Sequence, residues 1–320
     1  MDIGALLVPE ADGRVVVERA RLAVDLGFGR LGMGDVPGRD GELYVTLGQL
    51  AAAGLDVPIG PMVTNPASRH LDVTAAAVAA VARLNPGGAY LGLGRGGSPL
   101  RGMGLPRPRT AELAAAATTL RETLGRHGVD APVLVSAYGP QTLQQGGASG
   151  DGVIIAGGAS VDYVREAIET ARAGAQAAGR DPASLQITVM SRISVADTRE
   201  EAVRAVRGNL ASAGANNLRA PSELAALPED VRERLAELRR RYDVRPEAHV
   251  SDGSPNADLI DELGLTDFLA DRYAVAGTPD QVRARFVELE TLGVDVVWAP
   301  AVEADPDAFL RRLATALPTA

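Results

Sequence analysis

The run Gly60-Pro61-Met62-Val63-Thr64-Asn65-Pro66-Ala67-Ser68-Arg69-His70 is followed by an alanine-rich segment and then by Leu91-Gly92-Leu93-Gly94-Arg95-Gly96-Gly97-Ser98. Residues Val57 to Val63 are apolar throughout and stop at the polar break Thr64-Asn65-Pro66, which is how a strand buried on both faces of a parallel sheet reads. Leu71 to Leu84 is nearly all Ala and Val, a helix able to pack closely. A second buried strand, Ala89 to Gly94, runs directly into glycines. Two strand ends therefore open side by side on one face, the first suited to a flat ring and the second to an anion held by a glycine loop.

Working outward, the chain alternates strand and helix almost without pause. Ile3 to Val8, Arg30 to Gly34, Val133 to Ala137, Val153 to Ala156, Gln186 to Val195 and Asp295 to Ala299 read as six further strands. The helices Arg14 to Leu26, Glu42 to Ala53, Thr110 to His127, Gln141 to Ala148, Val161 to Ala178 and Glu200 to Ala213 lie between them. Eight alternating units favour an α/β (β/α)8 TIM barrel over an open sheet, with the chemistry at the C-terminal strand ends. The rhythm breaks at 214–265, which shows a single helix, Glu229 to Tyr242. That segment reads as an insertion or lid between strands seven and eight, over the C-terminal mouth. With no linker rich in Gly, Ser or Pro, residues 1–320 are expected to form one domain.

Composition excludes several kinds of chemistry. The 320 residues are 46% hydrophobic, enough for a large core. There is no Cys, which removes thiol nucleophiles and thiolate metal sites. All 32 basic residues are Arg, so an enzyme amine for Schiff-base chemistry or a P-loop is missing. The three His lack the spacing of a helical metal pair, and no metal is expected. A net charge of −9 argues against a nucleic-acid surface. The N-terminus shows no signal peptide or membrane span, and a cytoplasmic enzyme is expected.

Gly27-Phe28-Gly29-Arg30-Leu31-Gly32-Met33-Gly34-Asp35, the two runs quoted above, Val135-Ser136-Ala137-Tyr138-Gly139-Pro140-Gln141-Thr142-Leu143, Ser149-Gly150-Asp151-Gly152-Val153-Ile154-Ile155 and Val275-Ala276-Gly277-Thr278-Pro279-Asp280-Gln281-Val282 occur in this order. Together they resemble the luciferase-like oxidoreductases. The Thr-Asn-Pro-x-x-Arg-His and Gly-Leu-Gly-x-Gly pieces resemble the branch that uses the deazaflavin coenzyme F420, typified by methylenetetrahydromethanopterin reductase. The resemblance implies a TIM barrel with a non-proline cis peptide at Met62-Val63, against the central ring of the coenzyme and with Thr64 beside it. It also implies Asp35 near the ring, Ser136, Ala137 and Tyr138 along the ring or its ribityl chain, and Arg95, Gly96, Gly97 and Ser98 toward the phosphate.

Three positions depart from the family pattern. Gly97 stands where an acidic residue is frequent, Val36 where a His often follows the strand-two Asp, and Leu6 where the methylene reductases have a Glu. The usual proton donors are absent, which leaves Asp35 as the one catalytic candidate and points away from methylenetetrahydromethanopterin as substrate. The function expected is hydride transfer from reduced F420 to a small organic acceptor. An FMN-dependent monooxygenase and a non-catalytic flavin or deazaflavin binding protein are the alternatives.

Several of these residues also have plainer readings. Asp35 and His70 can cap turns or helices, Tyr138 and Trp298 can pack at the rim, and the helix Glu229 to Tyr242 can be a solvated face. Between Val73 and Ala111 there is no acidic residue, yet Arg83, Arg95, Arg101, Arg107 and Arg109 fall there, a basic track suited to the phosphodiester and glutamate tail of F420. The uncharged helix stretch Val73 to Ala82 exceeds what one buried stripe needs, and a homodimer through this helix or Glu42 to Ala53 is expected.

Overall fold

The computed structural model describes residues 1–37, 41–218, 224–243, 253–301 and 305–318, except for the side chains of Ser98 and Pro99. Eight parallel strands form the main sheet: β1 (Asp2–Leu7), β2 (Arg30–Met33), β3 (Ile59–Pro61), β4 (Leu91–Leu93), β5 (Val133–Ala137), β6 (Gly152–Ile155), β7 (Gln186–Met190) and, after an insertion, β10 (Val296–Pro300). Their spatial order is β3-β2-β1-β10-β7-β6-β5-β4. The two end strands, β3 and β4, meet through the parallel bridges Ile59 to Ala89 and Thr64 to Leu93, which bring the sheet to near closure as a TIM-like barrel. The expected strands Val57 to Val63 and Ala89 to Gly94 are thus ladder-bonded only in their middles.

The alternation of β1 shows how the sequence builds two packed layers. Ile3, Ala5 and Leu7 face outward into the core shared with the helices, whereas Gly4 and Leu6 face the barrel axis. Outside the barrel lie α1 (Gly13–Asp25), α2 (Leu43–Ala52), α3 (Leu71–Leu84), the short α4 (Ser98–Gly102), α5 (Thr110–Arg126), α6 (Pro140–Ser149) and α7 (Val161–Ala177). On the axis, Tyr90, Leu134, Ile154, Val296, Met62 and Trp298 make a separate interior cluster. Trp298 is fully buried and stands 5.3 Å from the Tyr90 ring, so it fills the barrel and does not pack at the rim. Its ring needs the glycine at position 4, since a Cβ there would lie 2.4 Å from Trp298 Cε3.

The strand expected over Gln186 to Val195 breaks at Ser191. Its second part, β8 (Arg192–Val195), leaves the barrel and pairs in parallel with β9 (Ala274–Gly277), a strand that the sequence reading did not assign. Between them lie α8 (Arg199–Asn216), α9 (Glu229–Arg241), α10 (Pro255–Glu262) and α11 (Thr266–Tyr273), so the described part of the insertion holds more than the one helix expected. Val231, Leu235 and Leu238 of α9 are buried against Val206, Leu210, Ile260 and Leu269, a second apolar core. The charged surface of α9 therefore covers a packed stripe, which corrects the solvated-face reading. The Ser191 amide donates to Trp298 O (3.3 Å) and the Ala159 amide to Arg272 O (2.8 Å), which ties the insertion to the C-terminal ends of β7, β10 and β6. Residues 219–223 and 244–252 of the expected lid lie outside the described residues. The chain returns through α12 (Pro279–Thr291), opened by a capping box of Thr278 and Gln281, to β10 and then α13 (Pro306–Ala314).

Candidate active site

At the C-terminal mouth, the floor is apolar. Leu6, Val63 and Met190 sit half-buried over the interior cluster of Met62, Tyr90, Leu134, Ile154 and Trp298. The Met62-Val63 peptide is cis, at the position expected from the sequence. Val63 is held closely on one side, since a Cβ at Gly94 would come within 2.8 Å of its Cγ2 and one at Gly92 within 3.0 Å of its Cγ1. These glycines let the valine lie flat across the end of β4. The result is a level hydrophobic shelf that suits the face of a fused aromatic ring.

Asp35 follows β2 and is buried at 3% exposure. Its carboxylate accepts a hydrogen bond from Thr64 Oγ1 at 2.6 Å and pairs with Arg69, whose other nitrogen reaches Glu42. The Arg69 guanidinium also lies over the Tyr44 ring, 5.1 Å from its centroid. Asp35 thus ties the end of β2 to the end of β3 and to the α3 approach. This arrangement sets the position of Thr64 and Val63 and gives the catalytic candidate a structural task. Asn65 shapes the same turn, its Oδ1 accepting from the amides of Ala67 (3.0 Å) and Ser68 (2.9 Å). His70 is the N-cap of α3 and accepts from Asp72 N at 3.3 Å, away from the floor in role.

The glycine loop after β4 has the form the sequence indicated. Gly96 adopts φ +66, and a Cβ there would strike Leu100 Cδ1 at 2.6 Å, so this turn requires glycine. Gly97 is exposed and has open space around its Cα, leaving backbone amides approachable by an anion. Arg95 donates through Nε to Pro108 O at 2.6 Å, which folds the following segment back beside the loop. Desolvation, and then the like charges of Arg95 and Arg101, lower the Arg107 guanidinium from its ordinary value. Neither Arg101 nor Arg107 forms an ion pair among the described residues, and Arg95 makes none either. The side chain of Ser98 lies outside the described residues. Across the mouth, Ser136 and Ala137 are buried at the end of β5, and Tyr138 stands at the rim, 45% exposed. Its phenol is among the groups acting on Arg107.

An apolar shelf, a glycine turn with open amides and unpaired guanidinium groups on one edge fit a flat ring carrying a phosphate, as a flavin or deazaflavin does. Leu6, Val63 and Met190 would hold the ring, and Gly96, Gly97, Arg95 and Arg107 the phosphate. Glu10, three residues past β1, pairs with buried Arg19, which also reaches Asp307, at 2.8 and 2.6 Å. Among the described residues no three His, Asp or Glu side chains gather as metal ligands would, and no helix is long and apolar enough to cross a membrane. The short α4 and Arg192, the half-buried first residue of β8, were not singled out from sequence. Arg192 could have been noticed as the one cation in the otherwise apolar and hydroxyl-bearing run Ile187 to Val195.

The chain belongs to the family described as luciferase-like monooxygenase, whose pattern it matches over residues 2–296. Within that class it is similar to a 5,10-methylenetetrahydromethanopterin reductase of Methanolobus tindarius, at 27% identity over 93% of this chain and 94% of the relative. Its fold resembles the coenzyme F420 dependent tetrahydromethanopterin reductase of Methanopyrus kandleri, with a TM-score of 0.77 at 20% identity over 98% and 97% of the two chains. It also resembles an F420-dependent secondary alcohol dehydrogenase in complex with an F420-acetone adduct, with a TM-score of 0.71 at 16% identity over 99% of each chain.

Proposed function

We propose that this luciferase-like oxidoreductase is an F420-dependent reductase or dehydrogenase that transfers hydride between the deazaflavin and a small organic acceptor. The observation that carries this reading is the group Arg95, Arg101 and Arg107, none of which forms an ion pair among the described residues, beside the Gly96-Gly97 turn in a chain of net charge −9. One terminal phosphate, as in FMN, needs little more than the backbone amides of such a turn. A phosphodiester followed by several carboxylates calls for a longer row of guanidinium groups. The similar structures described as a coenzyme F420 dependent tetrahydromethanopterin reductase and as an F420-dependent secondary alcohol dehydrogenase support the same coenzyme.

When bound, the deazaflavin supplies or accepts the hydride. Leu6, Val63 and Met190 fix its ring plane and keep water from the buried face. Asp35, engaged by Thr64 and Arg69, holds the shelf in register. Among the described residues no carboxylic acid stands on the floor, and Leu6, Val36 and Gly97 occupy the three positions where the resemblance implies ionisable groups. This favours acceptors whose reduction takes its proton from solvent at the open side of the mouth. Residues 1–320 act in this reading as one catalytic domain, and the insertion forms one wall of the acceptor site. The test is the absorption spectrum and mass of the small molecule that copurifies with the protein. F420 is the expected molecule, and FMN with oxygen-dependent turnover would replace this reading by the monooxygenase one.

A further inference from the structure

Tyr163 is the third residue of α7, where helical side chains tilt toward the helix N-terminus and so toward the strand end that precedes it. Its hydroxyl donates to Tyr138 O at 2.8 Å. That acceptor lies one residue past the end of β5, beyond the rung in which the Ala156 amide donates to Ala137 O at 3.0 Å. The phenol thus ties the end of β5 to the start of α7 just past the β5–β6 ladder.

The segment between β6 and α7 is shaped around this ring. A Cβ at Gly157 would strike the Tyr163 hydroxyl and lie 2.6 Å from Tyr138 O, and one at Gly158 would lie 3.0 Å from Tyr163 Cδ1 and 3.1 Å from Arg272 O. Neither glycine has a positive φ, so what they supply is room for the phenol against the backbone and not a special turn. On its other side the ring meets the insertion. The Arg272 guanidinium of α11 lies 5.9 Å from the Tyr163 centroid and 5.8 Å from that of Tyr273, and Arg272 O accepts from the Ala159 amide at 2.8 Å. Tyr273 O in turn accepts from the Ser191 hydroxyl at 3.3 Å, just past β7. One side chain therefore stands where the ends of β5 and β6 and the insertion come together. Tyr138 is the residue that this joint delivers to the mouth. It follows buried Ser136 and Ala137, is 45% exposed, and its phenol is among the groups acting on Arg107.

We infer that Tyr163 is a positioning residue for coenzyme binding, whose hydroxyl fixes the Tyr138 carbonyl and so places the Tyr138 phenol at the edge of the coenzyme pocket, beside the basic row. The hydroxyl is what this role needs. A Phe would keep the packing on Gly157 and Gly158 and the Arg272 stack, but would take the donor away from Tyr138 O. The inference rests on the coenzyme pocket proposed above, and does not depend on which flavin or deazaflavin fills it.

The experiment compares wild type, Tyr163→Phe, Tyr138→Ala and the double variant. F420 affinity is measured by quenching of its fluorescence, the seating of bound F420 by its visible circular dichroism, stability by thermal melting, and the loops by hydrogen exchange with and without F420. Tyr163→Phe should weaken F420 binding about fivefold and change the dichroism, with a melting temperature within about 4 °C of wild type. Tyr138→Ala should weaken F420 binding at least as much. Adding Tyr163→Phe to it should cost less than about twofold more, because a residue acting through Tyr138 then has nothing left to place. In protein without F420, exchange should quicken in Tyr163→Phe across 138–143 and 156–160. The inference is overturned if Tyr163→Phe binds F420 as wild type does, if Tyr138→Ala leaves that affinity unchanged, or if the loss persists in full in the Tyr138→Ala background. Unchanged exchange in the two segments, or a Tyr163→Phe protein melting more than about 10 °C below wild type, would overturn it also. Failure of wild type to bind F420 would count against the coenzyme assignment alone. The same variants titrated with FMN, and the exchange rates without coenzyme, would then decide the role of Tyr163.

Discussion

Replacing Asp35 separates the structural account of this residue from a catalytic one. In Asp35→Ala the Thr64 hydroxyl loses its 2.6 Å acceptor, a charge-assisted hydrogen bond worth about 1.5–3 kcal/mol. Arg69, with its side chain only 19% exposed, loses one of its two carboxylates and keeps Glu42. Breaking a fully buried pair costs about 3–5 kcal/mol, and the remaining partner reduces that share, so the total expected is about 2–4 kcal/mol. Asp35→Asn, which can still accept from Thr64, should lose about half as much. Trp298, the one tryptophan and fully buried, reports unfolding by its fluorescence in a urea titration. A cycle with Arg69→Met isolates the coupling between the two residues. A loss below about 1 kcal/mol in Asp35→Ala, combined with abolished turnover, would refute the reasoning and return the residue to the reaction.

Other expectations follow from single sites. The Tyr90 hydroxyl donates to Leu31 O (2.9 Å) and lies near Gly60 O (3.1 Å) inside the barrel, and burial raises its pKa well above the ordinary value. The folded protein favours the neutral phenol, so this contribution is whole below about pH 10 and is lost as pH rises toward the raised value. Tyr90→Phe should flatten the alkaline fall in stability measured by urea titration from about pH 8 to 11, and an unchanged slope would count against it. Leu235→Ala, fully buried in the second core, should cost about 2–5 kcal/mol in the same titration, where a solvated helix would lose almost nothing. We propose a homodimer through the outward faces of α2 and α3, where Val45, Val73 and Leu84 are exposed at 62%, 58% and 54%. Val73→Glu should halve the mass seen by light scattering, and a monomeric wild type would remove the proposal.

The barrel was legible because its strands are buried on both faces and bounded by turn residues. The alternation of these runs with helical ones reveals parallel topology without any pairing information. The Met62-Val63 cis peptide was legible only through the family resemblance, and the Gly96 turn through its run of glycines. Rim packing was open for Trp298 because a strand-end position does not tell which way a side chain points. Its inward course depends on glycine at position 4, nearly three hundred residues away in sequence. The insertion was under-read for a related reason. The apolar positions of α9 are spaced among many charges, and their partners in α8, α10 and α11 lie on separate segments, so the second core emerges only from tertiary packing. Asp35 has two readings in the sequence, and its bonds to Thr64 and Arg69 appear only in the structure.

The central claim is the coenzyme, and titration of F420 and FMN into wild type and an Arg101→Ala, Arg107→Ala double variant across ionic strength tests it most directly. The account expects F420 to bind more tightly than FMN, with affinity that falls as salt rises and drops in the double variant. Tighter binding of FMN, or F420 binding indifferent to both salt and the two arginines, would contradict it.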